Sequence, residues 1–180
     1  MGLKKLIYSL YENMPKIKHV LFLCSGNTCR SPFAEYFSKW LQKNEDSNEL
    51  KDIAFDSAGL YHYYEQPQEG TLKYLKSKGV EMDDFQAKDI DEELIIEQDL
   101  ILCFEEKYHV RKLKRKFKHL KDLDEKVFLL LEFAGDTENL EIEDPFYLEE
   151  NEYNKVLKRI EDGIIKSIEK IIKINNSEEY

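Results

Sequence analysis

Leu21-Phe22-Leu23-Cys24-Ser25-Gly26-Asn27-Thr28-Cys29-Arg30-Ser31-Pro32 is the stretch on which the reading of this chain turns. An apolar run, His19–Cys24, ends at a cysteine. A short polar loop follows, and then a helical pattern, Pro32–Gln42, in which Pro32 suits the first turn. Strand, loop and helix in that order point backbone N–H groups inward at the helix N-terminus and make a nest for an anion. A thiol facing such a positive field drops from about 8.5 to about 3.5–7.5, which leaves thiolate at neutral pH. Cys24 stands at that place. Arg30 lies six residues on, where a closed loop brings its planar fork round to two phosphoryl oxygens. Phosphoryl transfer asks mainly for positioning and charge stabilisation. The loop residues Ser25, Gly26, Asn27, Thr28, Cys29 and Ser31, with Arg30, form the phosphate-binding set. Ser31 is suited to donate to the thiolate, and Asn27 to brace the loop. A bare Cys-x5-Arg is a weak signal, and its bland reading is a buried strand cysteine before a helix cap. The filled pattern in a strand–loop–helix context favours catalysis.

Three more short apolar runs lie downstream: Ile53–Ser57, Asp99–Phe104 and Lys126–Phe133. Continuous runs of this length suit strands buried on both faces, as in a parallel sheet. Helical patterns separate or follow them. Gln68–Lys78 stops before Gly79, Asp91–Glu97 is short, and Glu105–Leu120 is longer. The last, Glu150–Ile172, carries Tyr153, Val156, Leu157, Ile160, Ile164, Ile168, Ile171 and Ile172 on one stripe. This alternation predicts an α/β layered fold with right-handed crossovers. Ahead of the first strand, Leu3, Leu6, Ile7, Leu10, Tyr11 and Met14 fall at helical spacing until Pro15. They predict an added amphipathic helix packed on the domain, its mixed charges speaking against membrane docking. The expected organisation is a helical extension (1–18), one domain (19–173) and a tail (174–180).

The 180 residues suit one domain, with 42% hydrophobic and 36% charged residues. A net charge of −10 argues against nucleic acid or an anionic membrane as partner. No run is long enough to span a membrane, and the N-terminus lacks the apolar core of a secretory signal. Gly2 begins a myristoylation pattern, but Leu6 stands where Ser or Thr is needed. The expected compartment is the cytoplasm. Three cysteines, Cys24, Cys29 and Cys103, make no disulfide framework, and neither their spacing nor the scattered His19, His62, His109 and His119 suggests a metal. The basic run Lys107–Lys121 reads as a solvated helix face. A monomer or weak dimer without cofactor is expected.

The loop resembles the signature Val-x-x-x-Cys-x-Gly-Asn-x-Cys-Arg-Ser-Pro of the low-molecular-weight protein tyrosine phosphatases. The resemblance runs from His19 to Ile172 and takes in Ser57-Ala58-Gly59 and Asp99–Phe104. It implies a three-layer α/β sandwich, with a four-stranded parallel sheet flanked by helices, Rossmann-like and of the phosphotyrosine phosphatase I type. It implies hydrolysis of a phosphorylated protein through a cysteinyl-phosphate, with Cys24 as nucleophile and Arg30 as clamp. A leaving oxygen must be protonated as it departs, which requires a carboxylic acid near the pocket. Asp144-Pro145-Phe146-Tyr147 is similar to the family's Asp-Pro-aromatic loop, and Asp144 matches its general acid. Alone, Asp-Pro reads as a turn; Glu141 and Glu143 read as ordinary loop charges. Pro145 confines Asp144 to extended backbone.

Substrate choice divides the residues. Phe146, Tyr147 and Tyr63, within the run Tyr61-His62-Tyr63-Tyr64, suit a pocket that stacks on a phenol ring. Thr28 and the segment Lys126–Gly135 are instead similar to a protein-arginine phosphatase subgroup, although Tyr147 replaces that subgroup's usual Gly. Phosphotyrosine is favoured. An arsenate reductase on the same scaffold would need two further relay cysteines, and Cys103 lies among core residues. An idle phosphoprotein-binding copy would be expected to lose Cys24, Arg30 or Asp144. The resemblance also implies that Cys29 pairs with an oxidised Cys24 and shields it. Phe85 stands where the family often has a His that braces Ser57 and Asn27, which leaves that brace in question.

Overall fold

The computed structural model describes residues 15–44 and 48–177. In chain order its elements are β1 (His19–Cys24), α1 (Arg30–Asn44), α2 (Asn48–Lys51), β2 (Ala54–Gly59), α3 (Glu69–Ser77), α4 (Glu92–Glu97) and β3 (Leu100–Cys103). A π-helical turn (Glu106–Val110) then runs straight into α5 (Arg111–Lys116), followed by α6 (Leu123–Lys126), β4 (Val127–Leu129), α7 (Leu130–Phe133) and α8 (Glu150–Asn176). The four strands form one parallel sheet in the order β2-β1-β3-β4.

Position in the sheet explains why β1 is apolar at every residue from Val20 to Cys24. Successive side chains point to opposite faces, and both faces are covered. Val20 and Phe22 pack with Phe33 and Phe37 of α1 and with Leu157, Ile160 and Ile164 of α8. Leu21 and Leu23 pack on the other side with Ile101, Leu113 and Phe117. The sheet is therefore the middle of three layers, as expected for an α/β sandwich. Register carries the functional consequence: Cys24 pairs with Gly59, and Leu23 pairs with Cys103. The C-terminal ends of β1 and β2 thus open at one edge.

Three expected elements are redrawn. Of the run Lys126–Phe133, only Val127–Leu129 is strand. Lys126 closes α6, and Leu130–Phe133 is a helical turn. Leu130 and Phe133 are apolar because they pack in the α8 core. An unbroken apolar run has no period that separates the two cases. The helix expected over Glu105–Leu120 begins with the π-helical turn and ends at Lys116. The short α2 was not foreseen, and the second strand begins at Ala54 and runs on to Gly59. The helix expected at Leu3–Met14 lies outside the described residues.

α8 closes the molecule. Its helix continues to Asn176, and Ile174 is buried. The Asn175 side chain accepts from the Ile17 N–H at 2.7 Å and donates to the Ile17 carbonyl at 2.8 Å, tying the chain ahead of β1 to the helix end. Ile17 itself is fully buried. Midway along, Gly163 lets α8 press onto α7. A Cβ there would stand 2.9 Å from Leu131 Cδ2 and 3.1 Å from Leu130 Cγ. Gly163→Ala would add about 1 kcal/mol in an exposed helix. Here it should instead lower stability by about 1–2 kcal/mol, because buried leucines must move. Denaturant unfolding measures the sign.

Candidate active site

Beyond β1 the chain turns through residues 25–29 into α1. Asn27 takes φ 53°, in the left-handed region that asparagine tolerates better than most side chains. From there it bonds in four directions. Its N–H donates to Cys24 Sγ at 3.2 Å, and its Nδ2 donates to Ser31 Oγ and to Ser57 Oγ, each at 2.9 Å. Its Oδ1 accepts from the Lys88 N–H at 3.0 Å. Ser31 Oγ lies 3.0 Å from Cys24 Sγ and 3.2 Å from the Ala58 carbonyl, so its one proton has two possible acceptors. Ser57 donates to Glu35 Oε2 at 2.6 Å, and Glu35 is paired in turn with Lys39. Glu35 is buried, and burial pushes its carboxyl above the usual range. The brace thus closes through Glu35 without a histidine at position 85. Phe85 is buried there, its ring edge-on to Tyr36.

Gly59 explains the Ser57-Ala58-Gly59 motif. A Cβ at Gly59 would stand 2.9 Å from both Asn27 N and the Gly26 carbonyl carbon. Any side chain would push into the loop backbone. Gly59 also leads into the main-chain bonds that seat the loop, Leu60 N–H to the Cys24 carbonyl at 3.0 Å and Tyr61 N–H to the Ser25 carbonyl at 3.1 Å.

Arg30, the first residue of α1, is 1% exposed. Its Nη1 donates to Glu105 Oε2 at 2.7 Å and to the Ile142 carbonyl at 2.9 Å. Its Nη2 lies 3.0 Å from Asp144 Oδ2. Nε has no hydrogen-bond partner among the described residues. A buried cation needs compensating anions, since uncompensated it costs several kcal/mol. Asp144 itself is half-exposed, and its Oδ1 accepts from the Phe146 N–H at 3.2 Å, a local turn that aims the carboxylate.

Cys24, Ser25, Gly26, Thr28, Cys29, Arg30, Asp144, Tyr63, Phe146 and Tyr147 all line one cavity of about 490 Å³, joined by Tyr61 and Tyr64. Asn27 and Ser31 are buried behind the loop and do not line it. Tyr64 stacks on Phe146 at 5.9 Å, and Tyr147 meets the same ring edge-on at 4.8 Å. Tyr63 and Tyr147 are 84% and 92% exposed and form the rim. Burial pushes the Cys29 thiol up to about 12. Cys103 lies fully buried in β3, outside this cavity, and burial pushes its thiol up as well. Glu141 accepts from the Glu106 N–H, and Glu143 is exposed; neither lines the cavity.

Three residues at the site gave no sequence signal. Glu35 looks like any helical acid with a lysine four residues on. Glu105 looks like a surface charge. His109 is fully buried. Its Nδ1 accepts from the N–H groups of Phe104 at 3.3 Å and Glu105 at 3.1 Å. That places its proton on Nε2, which lies 3.1 Å from Ser25 Oγ. Burial first, then the charges of Arg30 and Lys112, hold the imidazole well below its usual value.

The family model for low molecular weight phosphotyrosine protein phosphatase matches residues 19–177. The enzyme of that name from Gallus gallus is 31% identical over 144 residues, which cover 80% of this chain and 89% of that one. The crystal structure of a low molecular weight protein tyrosine phosphatase from T. tengcongensis superposes with a TM-score of 0.74 at 31% identity, over 85% of this chain and 99% of that one. The YwlE arginine phosphatase from Geobacillus stearothermophilus shares the fold, with a TM-score of 0.76 at 23% identity over 91% and 98% of the two chains.

Asn27→Ala removes three side-chain hydrogen bonds and leaves a Cβ residue at positive φ. Stability should fall by about 2–4 kcal/mol, read by urea unfolding. His109 generates a pH dependence. Its folded value lies below its unfolded one, so below about pH 6.5 the unfolded chain takes up a proton that the folded chain refuses. Its stability contribution is therefore complete above that pH and declines on acidification, by at most about 1.4 kcal/mol per pH unit. His109→Asn should flatten the wild-type slope between pH 7 and pH 5, and unchanged slopes would refute the assignment.

Proposed function

The chain belongs to the low molecular weight phosphotyrosine protein phosphatase family, and on that premise we propose that it hydrolyses phosphotyrosine in protein substrates through a cysteinyl-phosphate. One observation carries the reading. Cys24, Arg30 and Asp144 line a single cavity, and Arg30 Nε has no hydrogen-bond partner among the described residues. In the first step Cys24 Sγ attacks phosphorus in line with the phenolic oxygen. The S–P bond forms, the P–O bond breaks, and Asp144 passes a proton to the departing oxygen. Arg30 and the loop N–H groups stabilise the three equatorial oxygens. In the second step Asp144 takes a proton from water, water attacks phosphorus, and Cys24 leaves as thiolate. Cys29, held up at about 12, stays a thiol at neutral pH, which favours Cys24 as nucleophile. Before acting, Asp144 must part from Arg30 Nη2, and an arriving phosphoryl oxygen that takes over this N–H releases it.

The walls favour an aryl substrate. Tyr61, Tyr63, Tyr64, Phe146 and Tyr147 surround the opening, and Asp144 is the one acid among the lining side chains. A phenol ring finds stacking partners there. One observation favours phosphoarginine as the second reading: Thr28, 5% exposed, puts a hydroxyl into the wall where a guanidinium N–H would need an acceptor. Cys29 we assign as the thiol that captures Cys24 as a disulfide after peroxide oxidation. We place the enzyme in the cytoplasm as a monomer or weak dimer that uses no cofactor. Among the described residues no helix is long and apolar enough to cross a membrane.

The test is phosphate release from matched phosphotyrosine and phosphoarginine peptides, with Cys24→Ser as the blank. Turnover of the phosphotyrosine peptide should lead, and Cys24→Ser should lose several orders of magnitude. A lead for phosphoarginine would transfer the specificity to Thr28. Equal rates in wild type and Cys24→Ser would end the cysteinyl-phosphate reading.

A further inference from the structure

The π-helical turn after β3 places one histidine against the phosphate loop. The N–H groups of His109 and Val110 both reach the Glu105 carbonyl, at 3.1 and 3.3 Å. This is the extra residue of a π turn, a feature frequent at functional sites. His109 is thereby carried inward, edge-on to Phe104 at 6.2 Å and 0% exposed.

Counting protons then assigns roles. A neutral imidazole has one N–H and one acceptor nitrogen. Nδ1 is the acceptor, taken by two backbone N–H groups, so Nε2 carries the proton. Nε2–H has two neighbours, Ser25 Oγ at 3.1 Å and Glu105 Oε2 at 3.5 Å, and the shorter contact is the serine. Ser25 Oγ therefore accepts. Its own proton meets no other hydrogen-bond partner among the described residues, and Ser25 lines the cavity beside Cys24. We propose that Ser25 is a further catalytic residue, donating its hydroxyl proton to a phosphoryl oxygen, and that His109 is the positioning residue that turns this proton into the cavity. The proposal rests on the phosphatase reading above and adds a side-chain donor to the loop's backbone donors. Hydrogen bonds to a charged oxygen are roughly twice as strong as neutral ones. Because His109 also borders Glu105, which holds Arg30, one buried ring touches both supports of the anion site. Arg30, Glu105 and Lys112 are the charged groups around the ring; burial first, and then the two cations, keep it neutral.

The experiment compares wild type, Ser25→Ala, Ser25→Thr, His109→Asn and the Ser25→Ala/His109→Asn pair. kcat and KM are measured with an aryl phosphate, and the affinity for inorganic phosphate is measured by calorimetry. Asn at position 109 keeps an acceptor near Nδ1 but is too short to reach Ser25. Ser25→Ala and His109→Asn should each lower kcat/KM and phosphate affinity about ten- to a hundredfold, the range for one hydrogen bond to a charged group. The pair should be no worse than either alone, and Ser25→Thr should keep most of the activity. Multiplying effects in the pair, or wild-type kcat/KM and phosphate affinity in Ser25→Ala, would overturn the proposal. Ser25→Ala removes no core side chain, so it decides the matter even where His109→Asn fails to fold. A wild type without turnover would strike the phosphatase reading instead. Phosphate affinity still discriminates then, and equal values in wild type and Ser25→Ala would overturn the present inference on its own.

Discussion

On the function proposed above, the loop after Cys24 keeps N–H groups for an anion, and apart from the Asn27 N–H on Cys24 Sγ it must be held by other means. That constraint governs the surroundings of Cys24. Rigidity must come from side chains behind the loop, and Asn27 supplies most of it: a left-handed backbone and bonds to Ser31, Ser57 and the Lys88 N–H. The brace has its own needs. Ser57 donates to Glu35, and Glu35, buried against its preference for water, leans on Lys39. From the other side Gly59 must stay without a side chain so that the loop can lie against β2. The sheet register that sets Gly59 opposite Cys24 therefore helps to shape the loop, although neither strand residue is charged.

Charge is arranged by a related logic. Arg30 is buried, and its two amino groups are held by acids of unlike exposure. Glu105 is largely enclosed and serves as a permanent counter-ion. Asp144 is half-exposed and set in a turn of its own, so it can exchange Arg30 for another partner. One guanidinium is thereby tied to an enclosed acid on one side and to an exposed one on the other, a division that suits the phosphate clamp proposed above.

The aromatic opening is tied to the core more loosely. Phe146 packs partly against the α8 core and receives Tyr64 on its face, whereas Tyr63 and Tyr147 stand in solvent. Such a mouth offers flat apolar ring surface to whatever enters it. On the function proposed above, the choice between substrates then falls to the rim and, within the loop, to Thr28.

Period and local order sufficed for the strand–loop–helix unit, the parallel sheet and the long α8 stripe. Each is specified by neighbours in sequence: β1 is apolar at consecutive positions, α8 at 3–4 spacing, and Cys24, Arg30 and the residues between them sit on one turn. Asp144 was legible only by likeness to a known loop, since Asp-Pro alone is an ordinary turn. Lys126–Phe133 misled because burial in a sheet and burial under a helix leave the same apolar run. Glu35, Glu105 and His109 were illegible for a different reason. Their roles depend on partners 22, 75 and 84 residues away, and on one π turn that sets the direction of a ring. A sequence declares what a residue can donate or accept. Only the packed chain decides which groups stand within 3 Å, because that distance is set by sheet register and helix docking rather than by any residue's own propensity.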